Sequence, residues 1–149
     1  MSLQDRFRDD LKVALKQRDS CRLSIVRILI AECRNEEKAK MHALDDAGVI
    51  DVLSREARKR KESIDAFGAG GRPDLVTEEE AALAIITEYL PEQMGREELV
   101  AVAREAVAAV GATGPRDKGR VMSQLMPKVK GKASGKDVGD VVTELLAES

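Results

Sequence analysis

A chain of 149 residues, 43% apolar and 35% charged, can bury the core of one ordinary domain, or of one domain with a small satellite. Phe7, Phe67 and Tyr89 are its only aromatics, which argues against a base-stacking surface, and no apolar run reaches the length of a membrane span. The net charge of −2 excludes a uniformly basic binder, so any polyanion contact has to be local. Much of the apolar content is Ala, Val and Leu beside many Glu, Lys and Arg, with little strand-like alternation, so the expected fold class is all-α.

The first helix is expected over 2–18, with Leu3, Phe7, Leu11 and Leu15 stepping along one face. Its start, MSLQDRFRDD, is charged and lacks the apolar stretch of a signal peptide, which leads to the expectation of a cytoplasmic protein. Ser20 is read as the cap of a second helix over 21–41. That helix is apolar on most sides through Leu23, Ile25, Val26, Ile28, Leu29 and Ile30, so it belongs at the centre of the larger domain. Arg22, Arg27 and Arg34 must then find its remaining solvent edge, and its NEEKAK end projects into water. Cys21 and Cys33 lie about 18 Å apart along this helix, too far to pair, and are expected as free, mostly buried thiols.

A third helix runs from Asp45–Asp46 to about Phe67, with Ile50, Leu53, Ala57, Ile64 and Phe67 as its stripe; Gly48 in its first turn is expected to delay its start. Gly68, Gly70, Gly71 and Pro73 form a loop. Thr77 with Glu80 reads as the capping box of a fourth helix, which buries Ala82, Leu83, Ile85, Ile86, Tyr89 and Leu90. Pro91–Gly95 is a joint. Three short helices follow at about 96–110, 117–127 and 136–147, with Val138, Val141, Val142, Leu145 and Leu146 at helical spacing in the last and a Ser134/Asp137 box at its start. The expected architecture is a larger N-terminal helical bundle, residues 1–91, followed by a small three-helix domain, residues 92–149.

Charge is unevenly spread. Between residues 116 and 136 seven cations, Arg116, Lys118, Arg120, Lys128, Lys130, Lys132 and Lys136, face a single acid, Asp117. Pro127 is expected to end or kink the helix there, because it has no N–H to donate. The glycine-rich, cationic stretch after it is the candidate contact for a polyanion. A second basic run, Arg55–Lys61, goes all the way round its helix, so only some of it can face a partner.

No catalytic constellation emerges. His42 and Cys33 fall on different faces of one helix, two cysteines and one histidine are too few for a zinc site, and neither GKASGK nor Gly114–Gly119 follows a strand as a phosphate loop must. No catalytic residue, metal or cofactor is expected.

Taken together, the segments resemble the YqeY-like proteins of the GatB/YqeY group almost end to end. The resemblance is carried by Asp10-Leu11-Lys12, Arg22-Leu23, Val26-Arg27, Arg58-Lys59-Arg60-Lys61, Gly71-Arg72-Pro73-Asp74-Leu75, Glu88-Tyr89-Leu90-Pro91-Glu92-Gln93, Asp117-Lys118-Gly119-Arg120-Val121-Met122 and Leu125-Met126-Pro127-Lys128-Val129-Lys130-Gly131-Lys132-Ala133. Lys118 departs from the Met more usual there. The resemblance implies a tail similar to the C-terminal domain of the B subunit of the tRNA-dependent amidotransferase, which helps hold tRNA while the chemistry lies elsewhere. It also implies the family label of a carbon–nitrogen ligase with glutamine as amido-N-donor, for which the sequence offers no activated nucleophile. The expected function is therefore a tRNA-binding accessory protein that grips RNA backbone through the basic loop. The alternatives are a component of a glutamine-dependent ligase, or an adaptor docking on an amidotransferase or an aminoacyl-tRNA synthetase through the acids of 137–149 or of the fourth helix.

Overall fold

The computed structural model describes residues 1–148. Among them are seven α-helices, one 3₁₀ turn and no strand: α1 (Leu3–Gln17), α2 (Ser20–Lys40), α3 (Asp46–Ala69), α4 (Pro73–Tyr89), α5 (Arg96–Val110), the 3₁₀ turn Pro115–Asp117, α6 (Lys118–Val129) and α7 (Gly135–Ala147). The chain falls into two compact units, Met1–Pro91 and Glu92–Ser149.

Local side chains set where the helices of the first unit begin. α1 starts in a reciprocal box: Ser2 Oγ accepts from the Asp5 N–H at 3.1 Å and the Ser2 N–H donates to the Asp5 carboxylate at 3.2 Å. Asp19, rather than Ser20, caps α2 by accepting from the Arg22 N–H at 3.0 Å; a carboxylate one residue earlier takes the position. Asp45 accepts from the Gly48 N–H at 2.9 Å, so Gly48 does not delay α3, which begins at Asp46. The fourth helix begins four residues before the expected Thr77. Pro73 occupies its first turn, where a missing N–H costs nothing, and Thr77 lies inside the helix with its hydroxyl donating to the Pro73 carbonyl at 3.0 Å.

The core of this unit gathers Phe7 of α1, Val26 and Leu29 of α2, Val49, Val52 and Leu53 of α3, and Ile86 and Tyr89 of α4. Each fully buried side chain of this size contributes roughly 1.5–3 kcal/mol. Leu15 is 50% exposed and Ala14 is buried in its place. Stepping by four gains about 40° per step on a helix, so by the third step after Leu3 the chain has left the buried face. Cys33 is fully buried, and burial, followed by the neighbouring Glu37 and Glu32, pushes its thiol up to about 11; Cys21, by contrast, is exposed. The end of α2 is not wholly in water either, because Glu37 accepts from the Leu44 N–H at 2.9 Å and Glu36 pairs with Arg55 at 3.0 Å.

In the second unit α5, α6 and α7 all touch one another around Leu99, Ala103, Ala106, Val121, Leu125, Val129, Val138, Val141, Val142, Leu145 and Leu146. α6 does not stop at Pro127 but continues two residues to the fully buried Val129. In a last turn the proline forfeits one backbone bond, and burying Val129 offsets that.

Candidate nucleic-acid interface

The seven cations of residues 116–136 are all exposed, and α6 divides them. Arg116 lies in the 3₁₀ turn, and Lys118 and Arg120 in the first turn of α6. Lys128 is in the last turn, Lys130 and Lys132 are in the α6–α7 connection, and Lys136 is in the first turn of α7. Eight residues of helix, about 12 Å, separate Arg120 from Lys128, so the run that is continuous in sequence becomes two groups at opposite ends of one helix.

Within the first group two cations are engaged internally. Arg120 pairs with Asp117 at 2.9 Å, and the Thr113 N–H, followed by Arg120, holds the Asp117 carboxyl below the usual range. Lys118 Nζ donates to Thr143 Oγ1 at 2.7 Å. Arg116, Lys128, Lys132 and Lys136 form no ion pair among the described residues.

The α6–α7 connection is held from behind. Gln93 Nε2 donates to the Gly131 carbonyl at 2.7 Å, and the Met94 N–H donates to the Lys132 carbonyl at 2.9 Å. Gly131 is buried with φ of 76°, a conformation that glycine adopts without a Cβ penalty. Ser134 Oγ accepts from the Asp137 N–H at 3.1 Å to start α7, and a Cβ added at Gly135 would meet nothing within 4 Å. The result is a fixed turn carrying Lys128, Lys132 and Lys136 beside an open helix start, whose dipole favours an anion. Gln93 and Met94, which position this turn, enter the sequence reading only as part of the Pro91–Gly95 joint, and Gln93 in the family resemblance, not as site residues. Their bonds span 38 residues, and no local pattern signals them.

The other charged features are largely self-neutralised. In α3, Arg55 pairs with Glu36, Lys59 with Glu56 and Arg60 with Glu79, each within 3.1 Å. Among the acids considered for an adaptor surface, Glu144 pairs with Arg96, Glu148 with Arg104 and Glu88 with Arg22. His42 is exposed, its Nδ1 2.8 Å from the Ala43 carbonyl. Cys33, with its raised thiol, is the opposite of an activated nucleophile.

The model of the family described as Yqey-like protein matches residues 4–146. Among curated proteins, the chain is 28% identical over 130 residues to a protein of Pyrenophora tritici-repentis named Altered inheritance of mitochondria protein 41, mitochondrial, covering 86% of this chain and 71% of that protein. It is 33% and 36% identical over 85 residues to proteins of the same name from Eremothecium gossypii and Lachancea thermotolerans. These matches cover 56% of this chain and 46% of each relative, so the match spans about half the length of those two. The relatives are named as mitochondrial proteins, and this overturns the expectation of a cytoplasmic one. That expectation rested on the want of an apolar stretch, which speaks against a secretory signal and does not separate one aqueous compartment from another.

Proposed function

The chain belongs to the YqeY-like family, and from that premise we propose that it is a tRNA-binding accessory protein whose C-terminal unit grips RNA backbone. In this reading Met1–Pro91 is a helical bundle and Glu92–Ser149 a three-helix domain similar to the tail of the amidotransferase B subunit. Arg116, Lys118, Arg120, Lys128, Lys130, Lys132 and Lys136 supply the charge. The observation that carries the proposal is a turn held in place by Gln93 and Met94 that presents Lys128, Lys132 and Lys136 without a carboxylate of its own on any of them. A fixed turn loses little conformational freedom when phosphates bind. With few aromatics, recognition runs through backbone and shape, as suits a folded RNA. Ligase chemistry of its own draws no support from a buried thiol pushed up to about 11.

The test replaces Lys128, Lys132 and Lys136 together by Gln and titrates bulk tRNA across a salt series. The three side chains are exposed, so helical content should hold. Each lost phosphate contact should make the log–log salt slope shallower by about 0.7–1, a total of about 2–3, and weaken binding at every salt concentration. Unaltered affinity would falsify this placement of the site.

A further inference from the structure

The solvent face of α2 carries a row of cations that the C-terminal turn leaves unexplained. At about 100° per residue, Ser20, Ser24, Arg27, Ala31, Arg34 and Lys38 fall in one sector of about 80°, opposite the buried Ile25, Val26, Leu29 and Cys33. All six are exposed and none is acidic. Arg27, Arg34 and Lys38 make no ion pair or side-chain hydrogen bond among the described residues, whereas Arg22, Arg55, Arg58, Lys59 and Arg60 of the same unit each sit on a carboxylate. The acids that flank the row are committed elsewhere. Glu36 holds Arg55 and Lys40, and Glu37, which feels the Arg34 charge without forming an ion pair with it, accepts from the Leu44 N–H and from Gln4.

We propose that this face of α2 is a second binding surface for RNA phosphates, on the N-terminal unit and built from Arg27, Arg34 and Lys38. The proposal takes its ligand class from the RNA reading above but uses different residues. Three cations line about 16 Å of one helix, and the row's small residues, Ala31 between Arg27 and Arg34 and Ser24 ahead of Arg27, leave room for a sugar–phosphate strand to lie close. Two of the three are Arg, whose planar fork matches phosphate geometry. A lipid surface fits less well. A membrane-surface helix buries a whole apolar face, and here the apolar face is inside the protein; the exposed Met41 beyond the helix end is a single side chain.

The experiment compares three full-length chains: the unaltered protein, Arg27→Gln/Arg34→Gln/Lys38→Gln, and Lys128→Gln/Lys132→Gln/Lys136→Gln. Bulk tRNA is titrated across a salt series, with helix content checked by circular dichroism. The α2 variant should show a slope shallower by about 2–3 and roughly tenfold weaker binding at low salt. Unchanged slope and affinity in the α2 variant overturn the proposal, as does an unaltered chain that does not bind tRNA. If the α2 variant is weakened while the Lys128/Lys132/Lys136 variant binds normally, the turn reading fails and the α2 surface stands. Phosphatidylserine vesicles are the second probe: loss of vesicle binding in the α2 variant with tRNA binding intact assigns the row to a membrane and overturns the RNA assignment. Should the triple variant lose helix, Arg34→Gln alone takes its place, with a slope change of about 1 expected and an unchanged slope overturning the proposal.

Discussion

Tyr89 is the most heavily constrained side chain of the first unit. It is 3% exposed, its hydroxyl donates to the Asp10 carboxylate, its ring meets Phe7 edge-on at 4.8 Å, and the Arg6 guanidinium lies 4.9 Å from its centroid. Tyr89→Phe keeps both ring contacts and removes only the donor. Asp10 is half-buried and recovers part of the bond from water, so the cost should be about 1–2 kcal/mol, read by urea denaturation. The same pair gives a pH signature. Burial first, and then the hydrogen bond to Asp10, raise the phenol above its ordinary value, so the folded state favours the protonated form. That stability is fully present below about pH 10, the unfolded phenol value, and is lost as pH rises from there through the folded value. Unaltered protein minus Tyr89→Phe should therefore shrink with pH above about 10. A difference that stays constant there would show that the hydroxyl is not held as a donor.

At the scale of elements, the connection between α6 and α7 depends on Gly131. An L-residue at its φ of 76° costs about 1–2 kcal/mol, so Gly131→Ala should destabilise the protein by that amount. Gly114 serves as control: its φ of −173° is ordinary extended backbone and a Cβ there meets nothing within 4 Å, so Gly114→Ala should stay within about 0.5 kcal/mol. Equal effects would remove the backbone argument for the fixed turn. The same connection shows how far the sequence can be read. α7 was fully legible, since its five buried residues recur at helical spacing with a Ser cap in front. The start of α4 was not, because Thr77 and Glu80 satisfy a capping pattern that Pro73 pre-empts one turn earlier. The cations of residues 116–136 were legible as residues but not as an arrangement. The helix expected over 117–127 already sets Arg120 and Lys128 apart; what the reading of Pro127 missed is that α6 runs on to the buried Val129. The bonds from Gln93 and Met94 that fix the turn cross 38 residues, a distance at which periodicity and capping carry no information.

At the scale of the whole molecule, neither unit is basic. Residues 1–91 hold 16 cationic and 18 anionic side chains, and residues 92–149 hold nine of each. Affinity for a polyanion must therefore come from how charge is arranged rather than from its total. Many acids are consumed by the protein's own cations, as in Arg60 with Glu79 at 3.1 Å; of the cations that form no ion pair among the described residues, the two proposed surfaces take Arg27, Arg34 and Lys38 in one unit and Arg116, Lys128, Lys132 and Lys136 in the other. Seven phosphate contacts at about 0.7 each give an expected log–log salt slope near −5, or about a thousandfold loss of affinity between 50 and 200 mM salt. Replacing Arg27, Arg34, Lys38, Lys128, Lys132 and Lys136 together by Gln takes the net charge from −2 to about −8 and should leave a residual slope of about −1 or less. Most of the remaining cations are held by neighbouring acids, and Lys12, Lys16, Arg18 and Lys61, unpaired among the described residues, belong to neither surface. A sixfold variant that still bound tRNA with a slope near −5 would place the phosphate contacts on other residues and remove both surfaces at once.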